Sequence, residues 1–195
     1  MIHPITAYGD AVLRTRTLPL AADFPNLAAL IADMFETMAH AQGVGLAAPQ
    51  ISQSIRLFVI DTAPMVNDPE EKDARFRQAP VRRAFINPQK VAETGTPWGF
   101  EEGCLSIPGI REQVLRPERI RLRYEDAQRQ VQEEEFDGIT ARVIQHEYDH
   151  LEGVLFTDHL NALKKRLLKN RLARITKGDV DADYRMRFPN PGGRR

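Results

Sequence analysis

The chain has 195 residues, 42% of them hydrophobic, enough for one well-buried domain and too few for two comfortable ones. Lysine plus arginine equals aspartate plus glutamate at 27 each, so no global charge argues for DNA, RNA or an acidic partner. The single cysteine, Cys104, excludes an internal disulfide, no apolar run approaches the roughly 20 residues of a membrane span, and the N-terminal stretch lacks the pattern of a signal peptide, which together read as a soluble cytoplasmic protein without membrane contact.

Residues 1–20 carry Pro4, Gly9-Asp10 and Pro19 and read as a mostly extended arm lying on the domain. From Asp23 the pattern turns helical: Pro25 suits a first turn, and Leu27, Leu30, Ile31, Met34, Phe35 and Met38 recur at helical spacing up to a stop near Gly43. Residues 43–50 follow as Gly-Val-Gly-Leu-Ala-Ala-Pro-Gln, a run of small residues that lets another backbone or a ligand approach closely. It lacks the lysine of a phosphate-binding loop, and Gln50 stands at its end with an amide able to donate.

Residues 56–61 (Arg-Leu-Phe-Val-Ile-Asp) form a predicted buried strand, 62–80 a charged, proline-bearing loop, and 84–88 a strand ended by Pro88, with 89–93 as its hairpin continuation. Residues 119–125 alternate as a half-buried strand, with 131–136 as partner. A helix begins near Ile139, places Val143 and Ile144 on its apolar side, and is capped by Gly153. Residues 160–175 form a last helix with Leu160, Leu163, Leu167, Leu168 and Leu172 on one face and Lys164, Lys165, Arg166, Lys169, Arg171 and Arg174 on the other. Such a basic face is either solvated or a docking surface for an anionic partner such as RNA. Residues 178–195 read as a loosely ordered tail.

Chemistry concentrates in Gln145-His146-Glu147-Tyr148-Asp149-His150, a run of the form H-E-x-x-H. Residues four apart share a helix face, so His146 and His150 can aim at one metal ion, with Glu147 beside it as acid or base toward an activated water. A catalytic centre of this kind needs a third ligand, and Cys104 in Glu102-Gly103-Cys104-Leu105-Ser106 is the candidate. Asp149 is either a solvated charge or a partner for a ligand's second ring nitrogen.

These three stretches stand in a fixed order, and together they resemble the bacterial-type peptide deformylases from the Ala7-Tyr8-Gly9-Asp10 segment through the last helix. The resemblance implies an α+β fold, with antiparallel sheets packed around a central metal-binding helix and a C-terminal helix. It implies one catalytic domain over residues 1–177 and removal of the N-formyl group from the formylmethionine of nascent chains, with release of formate. Cys104, His146 and His150 would hold the metal, Fe²⁺ with Zn²⁺, Ni²⁺ or Co²⁺ as substitutes. Glu147 would be the acid/base, and the Gln50 side-chain amide and Leu105 backbone N–H would hold the oxyanion. The peptide would lie along Val44, Gly45 and Gly103, its methionine in a pocket of Phe100, Ile139 and Val143, with Arg111 meeting the residues beyond. Arg142 would either narrow that pocket or point outward.

Two other readings use the same motifs. A zinc peptidase shares H-E-x-x-H, but takes a histidine or glutamate as third ligand where this chain offers Cys104. A ribosome- or RNA-associated binding protein would use the basic last helix and keep the metal as a structural element, leaving Glu147 dispensable. In the deformylase reading, the same helix would dock the enzyme on the ribosome.

Overall fold

Runs of branched and apolar residues, some alternating with polar ones, build the strands, and two apolar helical stripes cover the two faces of the main sheet. The structure is a computed structural model that describes residues 1–68 and 70–189. In chain order it contains β1 (Ile5–Thr6), α1 (Leu27–His40), β2 (Gly45–Ala47), β3 (Leu57–Asp61), the single turn α2 (Ala63–Val66), β4 (Arg82–Thr94), β5 (Trp98–Cys104), β6 (Ile107–Arg116), β7 (Arg119–Glu125), β8 (Val131–Asp137), α3 (Gly138–Leu151), α4 (Ala162–Thr176) and β9 (Met186–Arg187). The fold is α+β, as the sequence implies. An antiparallel five-stranded sheet has the order β2-β3-β4-β7-β8, β5 and β6 form an antiparallel pair, and β1 and β9 pair in parallel. Among the described residues no helix is long and apolar enough to cross a membrane.

The run Leu57-Phe58-Val59-Ile60 is buried throughout because β3 is covered on both faces. Leu57 and Val59 join Met34, Phe35 and Met38 under α1. Phe58 and Ile60 join Phe85, Tyr124, Val143 and Ile144 on the side of α3. There Phe58 and Phe85 stack with ring centroids 4.7 Å apart. Each such aromatic contributes about 1.5–3 kcal/mol by leaving water, so this cluster presses α3 onto the sheet.

The end of α3 is set by its own backbone. Val154 N–H bonds to Asp149 C=O at 2.9 Å and Gly153 N–H to His150 C=O, with Gly153 at φ 72°, a Schellman motif that requires a left-handed residue after the last turn. The motif closes the turn that carries His150.

Several expectations need correction. α1 starts at Leu27 and not near Asp23: Asn26 sits in the left-handed region at φ 56°, which breaks helical continuity before it. The strand near Pro88 does not end there, because Asn87 at φ 50° opens a bulge that accommodates Pro88, and β4 continues to Thr94. On α4 the buried residues are Leu168, Leu172 and Ile175; Leu163 and Leu167, expected on the same face, are 66% and 70% exposed.

The tail expectation fails between residues 178 and 189, where β9 pairs with β1 in the register Ile5↔Met186 and Phe188 packs against the core beneath α4. Main-chain pairing and an aromatic anchor outweigh the weak local signal there. The rest of the expected tail, 190–195, lies outside the described residues.

Candidate active site

Register and helix pitch bring the three chemical stretches to one place. α3 sets His146 and His150 one turn apart, their ring centroids 5.1 Å from each other, and the end of β5 presents Cys104. The candidate donor atoms of Cys104, His146 and His150 all lie within 4.8 Å of one another, and Cys104 Sγ is 3.3 Å from His150 Nε2. Burial raises the Cys104 pKa, but His150 and His146 outweigh it and bring the thiol down to about 5. A cysteine poised as thiolate with two imidazoles is a donor set that suits a divalent transition metal, so the residues fit the ion that the family resemblance implies.

Glu102 orients the first histidine. His146 Nδ1 lies 3.0 Å from Glu102 Oε2, which fixes the tautomer that turns Nε2 toward Cys104. Glu102 also accepts from Arg116 Nε at 2.7 Å and from Arg142 Nη1 at 2.8 Å, and Arg116 reaches on to Asp149 at 2.6 Å. Two guanidiniums and two carboxylates thus offset one another in the interior, as buried charges require. Asp149 does not touch a candidate ligand; it takes Arg116 and His159, and Glu102 has the orienting position instead. Arg142 points inward, its guanidinium carbon 4.4 Å from the Trp98 ring centroid.

Glu147 is buried, with Oε2 free of any hydrogen-bond partner among the described residues. Burial pushes its pKa up to about 7, against the pull of His146 and His150. A Cβ on Gly45 would stand 2.3 Å from Glu147 Oε1, so the missing side chain on β2 is what makes room for the carboxylate. Gln50 is oriented just as closely. Its Oε1 accepts from Ala47 N–H at 2.8 Å, which turns Nε2 toward Ser106 Oγ at 3.3 Å and Cys104 Sγ at 3.5 Å.

A cleft of about 660 Å³ opens over this group, and Val44, Gly45, Gln50, Phe100, Gly103, Cys104, Leu105, Arg111, Val143, His146 and Glu147 all line it. His150 lies behind Cys104. Ile139, expected in the same pocket, does not line the cleft: it is fully buried one turn before Val143, against Phe76 and Trp98 and behind Phe100.

Sequence reasoning missed Glu102, Arg116, Met65 and Tyr184. For Glu102 a signal existed, because counting by two from Trp98 and Phe100 along β5 puts it on the apolar face. Nothing local marks Tyr184, which lies past the last helix and still lines the cleft.

A cysteine and two histidines around one point, with a buried acid and an aimed amide alongside, define a class: the metal-dependent hydrolases. The polypeptide deformylase family model matches residues 2–166. The peptide deformylase of Cytophaga hutchinsonii is 55% identical over 189 residues, 97% of this chain and 98% of that protein. Among solved structures, a peptide deformylase from Legionella pneumophila is 37% identical, with TM-score 0.76 over 92% of this chain and 98% of that one. One from Synechococcus elongatus in complex with actinonin is 35% identical, with TM-score 0.73 over 87% and 85% of the two chains. The chain belongs to the peptide deformylase family. Its activity is removal of the formyl group from the N-terminal methionine of nascent peptides. That assignment sets aside the peptidase and the non-enzymatic binding protein.

Proposed function

We propose that Cys104, His146 and His150 hold the catalytic metal, that Glu147 moves the protons, and that Gln50 Nε2 and Leu105 N–H hold the oxyanion. The observation that carries this reading is the unpartnered carboxylate of Glu147 beside the Cys104–His146–His150 cluster, with the Gln50 amide aimed into the same cleft. The family resemblance gives Fe²⁺ as the resident ion, with Zn²⁺, Ni²⁺ or Co²⁺ as substitutes; thiolate and imidazole accept all four and do not choose among them. A divalent ion there supplies Lewis acidity that brings a water molecule toward neutral pKa.

Glu147 takes a proton from the water as its oxygen adds to the formyl carbon. The carbonyl oxygen gains negative charge, and Gln50 and Leu105 donate to it. When the C–N bond breaks, Glu147 delivers its proton to the departing nitrogen, leaving formate and a free amino terminus. A divalent ion held there would favour the carboxylate form of Glu147, the form that accepts the proton.

The peptide lies along the free edge of β2, the outer strand of its sheet, where Val44 and Gly45 face Gly103 across the cleft. The methionine side chain enters beside Phe100, Val143 and Met65, and Arg111 meets the residues beyond it. The catalytic domain takes in residues 178–188 together with 1–177, since β9 pairs with β1 and Tyr184 lines the cleft; the enzyme works in the cytoplasm, and α4 docks on the ribosome. Arg166 and Lys169 carry that docking, since Lys164 is engaged with Glu112 at 2.7 Å, Lys165 with Asp158 C=O at 2.7 Å, Arg171 with Gly109 C=O and Arg174 with Asp179.

The test is formate release from a formyl-Met tripeptide by anaerobically purified enzyme. Glu147→Ala is expected to retain its metal and lose at least about 100-fold in kcat. Cys104→Ala is expected to lose tight metal binding. Wild-type activity in either variant rejects the assignment.

A further inference from the structure

The two chain segments outside the main sheet meet at the most sensitive turn of the active site. Tyr184 Oη donates to Leu105 C=O at 2.8 Å, and Tyr8 N–H donates to Ser106 C=O, also at 2.8 Å. Two successive carbonyls of the Cys104-Leu105-Ser106 turn are therefore held, one from each end of the chain. The two holding segments are joined to each other. Ile5 N–H bonds to Arg185 C=O and Ala7 N–H to Arg187 C=O, each at 2.8 Å, around the parallel β1–β9 pair. Residues 181–184 also line the cleft, although the family model ends at residue 166.

We propose that Tyr184 is a positioning residue for deformylation: its hydroxyl fixes the Leu105 carbonyl, and so aims the Leu105 N–H that the proposed function gives to the oxyanion. This deepens that reading and rests on it. The Leu105 N–H and C=O lie in successive peptide planes joined at the Leu105 Cα, so a C=O plane left free to swing about the one soft dihedral on each side lets the N–H plane before it tilt as well. Anchoring two carbonyls in a row removes that freedom before substrate arrives. Gln50 supports the same turn from inside through Ser106 Oγ, so all three residues from Cys104 to Ser106 are restrained. The Tyr184 ring packs against the cluster that holds Ile5 and Leu46, with Leu105 on the same cluster, which keeps the hydroxyl in place.

Tyr184→Phe removes one hydroxyl and keeps the packing. Small displacements of reacting groups are costly, so kcat for a formyl-Met tripeptide is expected to fall about tenfold, with KM within about twofold of wild type. On the zinc-loaded protein, NMR amide exchange at Leu105 and Ser106 should quicken, while metal content and Tm stay at the wild-type level. Tyr184→Ala, which also removes the ring from the cleft wall, should raise KM as well.

Unchanged kcat together with unchanged exchange overturns the proposal. Faster exchange with unchanged kcat overturns it too, and locates the error in the oxyanion role given to Leu105. A rise in KM alone makes Tyr184 a wall of the cleft and nothing more, and loss of metal or of Tm in Tyr184→Phe makes it structural.

Discussion

Glu147 and Gly45 form a matched pair in which an absent side chain on one element permits a buried carboxylate on another. Gly45 does not sit at positive φ, so its backbone tolerates alanine and the only objection is steric, a contact of 2.3 Å with Glu147 Oε1. Gly45→Ala should therefore keep the fold, with Tm within a few degrees, while displacing Glu147 and lowering kcat/KM by about 100-fold. Activity assays and a melting curve on one preparation check both halves. The sequence marks Gly45 as a place of close approach but not what approaches, because the partner lies about a hundred residues away on another element. The candidate ligands were legible for the opposite reason: four-residue spacing on a helix places His146 and His150 on one face whatever surrounds them. Ile139 shows the boundary of that logic, since it shares a face with Val143 yet lies one turn too deep to reach the cleft.

At the scale of elements, α4 shows where a leucine count misleads. Burial selects Leu168, Leu172 and Ile175, and the leucines at 163 and 167 fall on the neighbouring stripe, open to solvent. Leu168→Ala should cost about 2–5 kcal/mol and lower Tm by about 5–15 °C, whereas replacing Leu163 and Leu167 together with glutamine should move Tm by only a degree or two. Thermal melts of the two variants separate the faces. Equal losses would mean that the leucines at 163 and 167 are covered in solution. Alternation made β7 readable and a continuous apolar run made β3 readable, whereas β2 read only as a stretch of small residues. The bulge at Asn87 and Pro88 was not, because proline reads as a stop unless the tertiary context provides a left-handed residue before it. Likewise Glu101 and Glu102 are indistinguishable by type. Only the register of β5 sends one to solvent and the other to Arg116, Arg142 and His146.

For the molecule as a whole, the buried charge network ties stability to pH. Burial alone raises the Glu102 pKa, but His146 and Arg116 outweigh it and hold the carboxyl well below the usual carboxylate range. A carboxylate whose folded pKa lies below its unfolded value of about 4.3 adds stability above that pH and loses it as pH falls toward the folded pKa. The wild-type protein should therefore lose Tm progressively as pH falls below about 4.3. Glu102→Gln, less stable at neutral pH, should lose less over the same interval. Parallel acid-side melts decide it: equal slopes would assign the acid sensitivity to other groups.

The parallel β1–β9 pair has a consequence for the order of events during synthesis. Its two strands lie at residues 5–6 and 186–187, so β1 leaves the ribosome well before the partner it pairs with. The main sheet, whose five strands all lie between residues 45 and 137, can close before then. The chain order thus allows a stage in which Cys104, His146 and His150 are already made while the segment that clamps the Leu105 turn is not, and the β1–β9 seam closes after it.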